Sequence, residues 1–311
     1  MPGPRIDRLA TLFFFNYVNK IRLRRKVSIP ILMYHSVSNS KEKHKHPYYH
    51  TNTSPEVFAG HMKFLADNEY SVVGIGEALK ILENPVVTSA QLAETPPNKR
   101  VVITFDDGFR DFYTNAFPVL QQHGFTATVF IPTGFIDNPR RLLDGKECMS
   151  WNEILELQKK GVSIGTHSVN HSKFESLTRK EIDYEIRHSK YVAESKTGCC
   201  MESFSYPYAY PETDHDLLKL MKKILLESGY ENAVTTRIGR ASFKPDRYAL
   251  KRLPVNTRDD ICFLKAKIEG GYDWIYSLQY VYKSLKAMPG ARPFARILKN
   301  SSLKNSRKID E

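Results

Sequence analysis

Val101-Val102-Ile103-Thr104-Phe105-Asp106-Asp107-Gly108 is the stretch on which the reading of this chain turns. Its first residues are β-branched and apolar, the pattern of a strand buried in a parallel sheet, and it ends on two adjacent carboxylates. A second short apolar run, residues 162–165, leads into Thr166-His167-Ser168-Val169-Asn170-His171. Where parallel strands close into a barrel, the side chains at their C-terminal ends converge on one mouth. Groups far apart in sequence are thereby brought to one place.

Working outward, eight such runs are candidate strands: residues 29–34, 70–73, 101–105, 127–131, 162–165, 203–206, 232–234 and 249–253. Between them, residues 55–68 have helical spacing through Phe58, Met62 and Leu65, and residues 76–82, 180–195 and 214–228 read the same way. Ser150-Trp151-Asn152-Glu153 has the form of a capping box ahead of Ile154, Leu155 and Leu157. Strands alternating with helices predict a parallel α/β sheet or barrel, and eight strands suffice for a barrel.

A length of 311 residues with 41% hydrophobic and 12% aromatic content fits one large α/β domain. The domain is expected over residues 29–290, between a basic, amphipathic segment at 1–28 and a basic tail at 291–311. The net charge of +12 suggests an anionic partner, although much of it sits in Arg22-Leu23-Arg24-Arg25-Lys26 and in the tail, where solvation accounts for it. No nucleic-acid-binding module or basic-aromatic stripe accompanies the charge, so no specific nucleic acid is expected.

The apolar stretch Leu9 to Val18 is too short to span a bilayer and lacks a small-residue cleavage site. It is expected to be a helix packed on the domain, with an amphipathic anchor on an anionic membrane as the alternative. The corresponding location is the cytoplasm or the cytoplasmic face of the membrane. Cys148, Cys199, Cys200 and Cys262 form neither a metal-ligand spacing nor a disulfide framework. Residues 84–99, with Pro85, Pro96 and Pro97, read as a surface excursion, and His44, His46 and His50 as solvated members of a polar loop.

The two aspartates need not share a task, because neighbouring residues point in different directions as a strand ends. Asp107, His167 and His171 are assigned as ligands of one divalent ion, leaving coordination positions open, and Asp106 as general base. An ion so held would acidify water and polarise a substrate carbonyl. Zinc is the foremost candidate, and cobalt, nickel or iron would accept the same ligands.

Thr104 to Gly108 and His167-Ser168-Val169-Asn170-His171 resemble the first two motifs of the NodB-like polysaccharide deacetylases, carbohydrate esterase family 4. Ala127 to Ile131, Met149-Ser150-Trp151 and Phe204 to Tyr208 support the resemblance, which spans residues 29–255. It implies a distorted, TIM-like (β/α) barrel of seven or eight strands, a metal, usually zinc, and hydrolysis of N-acetyl groups from amino-sugar polymers. It also assigns Tyr206, Pro207 and Tyr208 to substrate binding, with the Tyr208 backbone N–H meeting the oxyanion.

The chain departs from the family pattern twice. The arginine that ordinarily precedes Pro-Tyr in the third motif is missing, with Ser205 and Tyr206 there instead, and Arg252 is the expected replacement as partner of Asp106. The late histidine that ordinarily protonates the leaving amine is missing too, since none follows His215. His35, after the apolar run Ile31 to Tyr34, is the expected acid, because the first and last strands of a closed barrel are neighbours. This order resembles the circularly permuted branch that includes the exported poly-N-acetylglucosamine deacetylases.

The leading expectation is thus N-deacetylation of an amino sugar in a polysaccharide or glycolipid. A deformylase or other deacylase of a lipid-linked or nucleotide-linked sugar, and a catalytically silent glycan-binding barrel, are the alternatives.

Overall fold

The computed structural model describes residues 5–15, 27–40, 42, 47–84, 99–137 and 139–287. All eight expected strands form: β1 (Ile31–Tyr34), β2 (Ser71–Val72), β3 (Arg100–Phe105), β4 (Thr128–Ile131), β5 (Ser163–Thr166), β6 (Ser203–Ser205), β7 (Asn232–Ile238) and β8 (Leu250–Pro254). Seven of them close a parallel barrel in the order β1-β3-β4-β5-β6-β7-β8, sealed where Leu253 and Pro254 of β8 lie opposite Leu32 and Met33 of β1. The eighth, β2, is no stave. Its two residues pair only with Arg100 and Val101 at the start of β3.

Strands β1, β3 and β4 are buried at every position, as expected where helices cover the outside of a parallel sheet and side chains fill the inside. Helix α1 (Ile6–Ala10) precedes the barrel; α2 (Pro55–Asp67), α3 (Ile75–Glu83), α4 (Phe117–Gln122), α5 (Trp151–Lys159), α6 (Arg179–Thr197) and α7 (His215–Glu227) lie between strands; α8 (Ile261–Ile268) and α9 (Ile275–Ala287) follow. Tyr34 stacks on Phe105 with ring centroids 5.3 Å apart, and Phe58 of α2 packs edge-on against Phe105 at 5.7 Å, fixing α2 against β1 and β3. The capping box at Ser150 forms as read, and an equivalent one joins Thr178 and Glu181 at the start of α6.

Residues 5–15 of the N-terminal segment pack on the domain. Arg5 and Lys267 converge on the buried Asp259 at 3.0 and 2.8 Å. Trp274 Nε1 donates to Thr11 Oγ1 at 3.1 Å, and Phe15 stacks on the Trp274 ring at 4.3 Å. Phe13 and Phe14 nevertheless stay exposed. Among the described residues no helix is long and apolar enough to cross a membrane. All four cysteines are free, only Cys148 being buried. His44, His46, the proline-rich excursion, the basic run 22–26 and the tail 291–311 lie outside the described residues.

Candidate active site

The loops at the C-terminal ends of β1, β3, β5 and β6 meet at one mouth, which opens into a cavity of about 760 Å³ lined by His35, Asp106, Asp107, His167, His171 and Tyr208, among others. These loops hold unusual backbone. Asp107, Ser168, His171 and Tyr208 have φ of 72°, 65°, 52° and 56°, four of the seven non-glycine residues in the left-handed region among the described residues. Such conformations cost about 1–3 kcal/mol each and persist where surrounding structure imposes them. Gly108 completes the turn after β3 at φ 61°, and a Cβ there would lie 3.1 Å from Ile131 Cγ2.

Asp107, His167 and His171 come together with one ligand atom from each within 4.8 Å of the others. His167 Nδ1 donates to the Ser205 carbonyl at 2.7 Å, which orients the ring so that Nε2 faces Asp107 Oδ1 at 3.5 Å. His171 Nε2 approaches the same oxygen at 3.2 Å, yet Oδ1, though buried, accepts no hydrogen bond of normal geometry. A buried carboxylate oxygen left without a hydrogen-bond partner beside two imidazole nitrogens fits a cation. A tetrahedral ion with bonds of about 2.0–2.1 Å sets its ligands about 3.3–3.4 Å apart, close to both separations. Burial pushes the Asp107 carboxyl up, but the two imidazoles hold it well below the usual carboxylate range.

The sequence gives no direct sign of what holds this loop in place. Glu185 of α6, itself buried, accepts from the backbone N–H groups of Val169 and Asn170 at 2.8 and 2.9 Å and from Asn170 Nδ2 at 2.7 Å. A single carboxylate thus ties down the span between the two histidines.

Asp106 has a different environment. Arg252 Nη1 and Nη2 donate to its Oδ1 and Oδ2, each at 2.7 Å, a bidentate pair with neither residue exposed. The other three guanidinium N–H groups are also used, on the Thr235 carbonyl at 3.0 Å, Thr104 Oγ1 at 3.2 Å and Ser205 Oγ at 3.1 Å. Ser205, in the segment where the family arginine was expected, donates its own hydroxyl to Asp106 Oδ1 at 3.2 Å. Burial works to raise the Asp106 carboxyl, but Arg252 foremost, with His167, holds it below its ordinary value. Arg252 lies within β8, two residues before its end, and reaches the mouth through its length.

Of the two Asp106 oxygens, Oδ1 accepts twice, whereas Oδ2 accepts only from Arg252 and faces His35 Nε2 at 4.0 Å. His35 is placed there because β1 lies between β8 and β3. Its Nδ1 is buried and unpartnered, and burial lowers the pKa of the ring.

The three residues after β6 divide. Tyr208 is exposed and packs on His171 with centroids 4.7 Å apart. Pro207 is buried, and the Tyr206 hydroxyl donates to the Tyr248 carbonyl at 3.0 Å, so Tyr206 shapes the cavity wall with its polar end already engaged. His50 also lines the cavity, although the sequence placed it in a solvated loop.

A family model for polysaccharide deacetylases matches residues 93–229. YxkH of Bacillus subtilis (strain 168), a protein named for the polysaccharide deacetylases, is 30% identical over 236 residues, 76% of this chain and 74% of that one. The poly-beta-1,6-N-acetyl-D-glucosamine N-deacetylase of Escherichia coli (strain K12) is 28% identical over 150 residues, 45% of this chain and 20% of that protein. Among solved structures, the Streptococcus pyogenes deacetylase PplD in complex with acetate superposes with a TM-score of 0.64 at 24% identity, covering 78% of this chain and 99% of that one. That likeness bears on the barrel fold, while the family match and YxkH bear on descent. By sequence, fold and these relatives, the chain belongs to the polysaccharide deacetylase family and is a hydrolytic deacetylase.

Proposed function

We propose that the enzyme is metal-dependent and removes N-acetyl groups from amino sugars in a polysaccharide, a β-1,6-linked N-acetylglucosamine polymer being the candidate suggested by the Escherichia coli relative. The observation that carries this reading is the pair of groups flanking the metal-ligand trio: Asp106 Oδ2, open on one side, and His35 Nε2, 4.0 Å away.

Asp107, His167 and His171 would hold the ion, for which zinc is the first choice and cobalt, nickel or iron are alternatives. Bound there, the ion supplies Lewis acidity toward water and the amide carbonyl. Asp106 takes a proton from the attacking water at Oδ2, and Arg252 keeps that carboxylate ionised and aimed. The Tyr208 backbone N–H stabilises the negative charge that develops on the carbonyl oxygen. The proton taken up at Oδ2 passes to His35 Nε2, which gives it to the leaving amine as the C–N bond breaks. Products are acetic acid, which ionises to acetate in solution, and the free amino sugar, and Asp106 and His35 return to their starting protonation. Tyr206 shapes the wall against which the sugar lies, and the buried Pro207 links it to Tyr208.

In this reading His35 and Arg252 stand in for the late histidine and the third-motif arginine, the arrangement of the permuted branch. Peripheral contact with an anionic membrane is a further part of the proposal, supported by the exposed Phe13 and Phe14 and the basic run that follows them in sequence.

The test is acetate release from N-acetylglucosamine oligomers by purified protein with and without added zinc. Activity that needs the metal and is lost in Asp106→Asn supports the reading. Full activity in Asp106→Asn refutes it.

A further inference from the structure

One stretch of chain, residues 106–115, grips the backbone on both sides of His35. Ahead of it, the Asp106 backbone N–H donates to the Tyr34 carbonyl at 3.0 Å. Behind it, Asp111 Oδ1 accepts from the Val37 backbone N–H at 3.0 Å and Asp111 Oδ2 accepts from the Ser36 hydroxyl. Asn115 Nδ2 donates to the Val37 carbonyl at 2.7 Å. The His35 ring itself finds no hydrogen bond among the described residues, for Nδ1 is buried and unpartnered and Nε2 stands 4.0 Å from Asp106 Oδ2. Its position is therefore set by the backbone from which it hangs.

The Asp111 carboxylate is committed to this contact. It precedes the π-helical turn Phe112–Ala116, where a carboxylate ordinarily caps the N–H groups of its own turn, yet its side chain makes no such bond. Asn115, four residues on, reaches across to the same two residues. Turns of this rare kind recur at functional sites. Ser36 and Val37 are wholly buried, and they pair in parallel with Asn52 and Thr53, whose Asn52 Oδ1 accepts from Ser36 Oγ at 2.8 Å. Neither Asp111 nor Asn115 lines the active-site cavity, so neither touches substrate.

Resting on the reading of His35 as the acid, we infer that Asp111 is its positioning residue, with Asn115 as a second tie. The two hold residues 36–37 so that His35 Nε2 stays within reach of both Asp106 Oδ2 and the leaving amine. The proton relayed between the two side chains has to cross a gap of 4.0 Å, and a further displacement of about 1 Å in such a geometry costs on the order of 100-fold in rate. Attack by water does not depend on this placement, because Arg252 holds Asp106 separately. Loss of Asp111 is accordingly felt at departure of the amine and not at attack on the carbonyl.

The experiment compares two substrates with zinc supplied: N-acetylglucosamine oligomers, whose amine must be protonated to leave, and para-nitrophenyl acetate, whose phenolate departs without a proton. In Asp111→Ala the amide kcat is expected to fall about 10–100-fold while kcat/KM on the ester stays within about twofold, and His35→Ala is expected to show the same split. The double variant is expected to be no slower on the amide than His35→Ala, because a misplaced acid and an absent one are equivalent. Asp111→Asn keeps an acceptor for the Val37 N–H and gains an amide that donates to Ser36 Oγ, so it restores most of the amide rate. Amide and ester rates that fall together in Asp111→Ala, or an amide rate that does not fall, overturn the inference. Where that variant does not fold, Asn115→Ala, which removes only the second tie at a half-buried position, is held to the same split. Full amide activity in His35→Ala refutes the acid reading and the inference with it, whereas loss in His35→Ala beside none in Asp111→Ala refutes the inference alone. A wild type that turns over no oligomer refutes the deacetylase reading, and imidazole nitrogen resonances then decide the positioning role. His35 signals unmoved in Asp111→Ala overturn it, and His35 signals that shift while those of His188 on α6 stay in place uphold it.

Discussion

Replacing Arg252 by methionine keeps the aliphatic stem and removes the guanidinium, leaving Asp106 buried without its cation. Breaking one partner out of a buried pair costs about 3–5 kcal/mol, roughly a fifth or more of the stability of an ordinary domain. The full range is expected because all five guanidinium N–H groups are satisfied, on Asp106 and on Thr104, Ser205 and Thr235. The double variant Arg252→Met/Asp106→Leu removes both charges and is expected to recover most of the loss, giving a coupling energy of about 2–4 kcal/mol.

The sign with pH follows from the same pair. In the wild type the folded Asp106 carboxyl is held below its ordinary value, so its contribution is present above about pH 4 and is lost as pH falls through the folded pKa. Without Arg252, burial dominates and raises that pKa, so the variant gains stability as pH falls. The gap between the two proteins therefore narrows from pH 8 to pH 5. Urea denaturation followed by circular dichroism, on chelator-treated protein so that no bound cation contributes, measures both effects. A loss below about 1 kcal/mol at pH 8, or a gap that does not narrow, refutes the assignment of Arg252 as the group that keeps Asp106 ionised.

Three further outcomes are expected. Glu185→Ala leaves the Val169 and Asn170 backbone N–H groups without their acceptor, so zinc affinity falls about 10–100-fold in competition with a chromophoric chelator; unchanged affinity shows that the loop needs no such tie. Zinc at a hundred times its dissociation constant stabilises the wild type by about 2.7 kcal/mol and leaves His171→Ala nearly unmoved in thermal denaturation, whereas equal stabilisation of both would remove His171 from the ligand set. Phe13→Ser/Phe14→Ser is expected to lower co-sedimentation with phosphatidylglycerol vesicles, and wild-type binding that survives high salt or extends equally to phosphatidylcholine would count against an electrostatic membrane contact.

The barrel strands were legible because each is a short apolar run bounded by polar or glycine-rich sequence, and the two aspartates and two histidines because they fall at strand ends. Helices α8 and α9 were not read at all. Along α9, Leu278, Val281 and Leu285 are exposed while Ile275 is buried, so no clean apolar stripe marks its inner face. Arg252 and His35 could be named only by asking what the resemblance lacked, because the contact between Arg252 and Asp106 spans 146 residues of sequence. Thr104 offered a signal that went unused: it stands two residues before Asp106, hence on the same side of the strand, and the Arg252 guanidinium meets both. Glu185 offered none, since nothing in a helix announces which loop its carboxylate will bind.

The seam between β8 and β1 joins the two ends of the barrel through two register pairs, Leu253 with Leu32 and Pro254 with Met33. During synthesis the two aspartates and both ligand histidines, all within residues 106–171, leave the ribosome well before Arg252 does. A nascent or nicked chain could therefore capture an ion yet have an Asp106 that lacks its cation. Hydrolytic competence is in this sense a report on ring closure, and slight parting of that seam would silence the enzyme while most of its secondary structure endured.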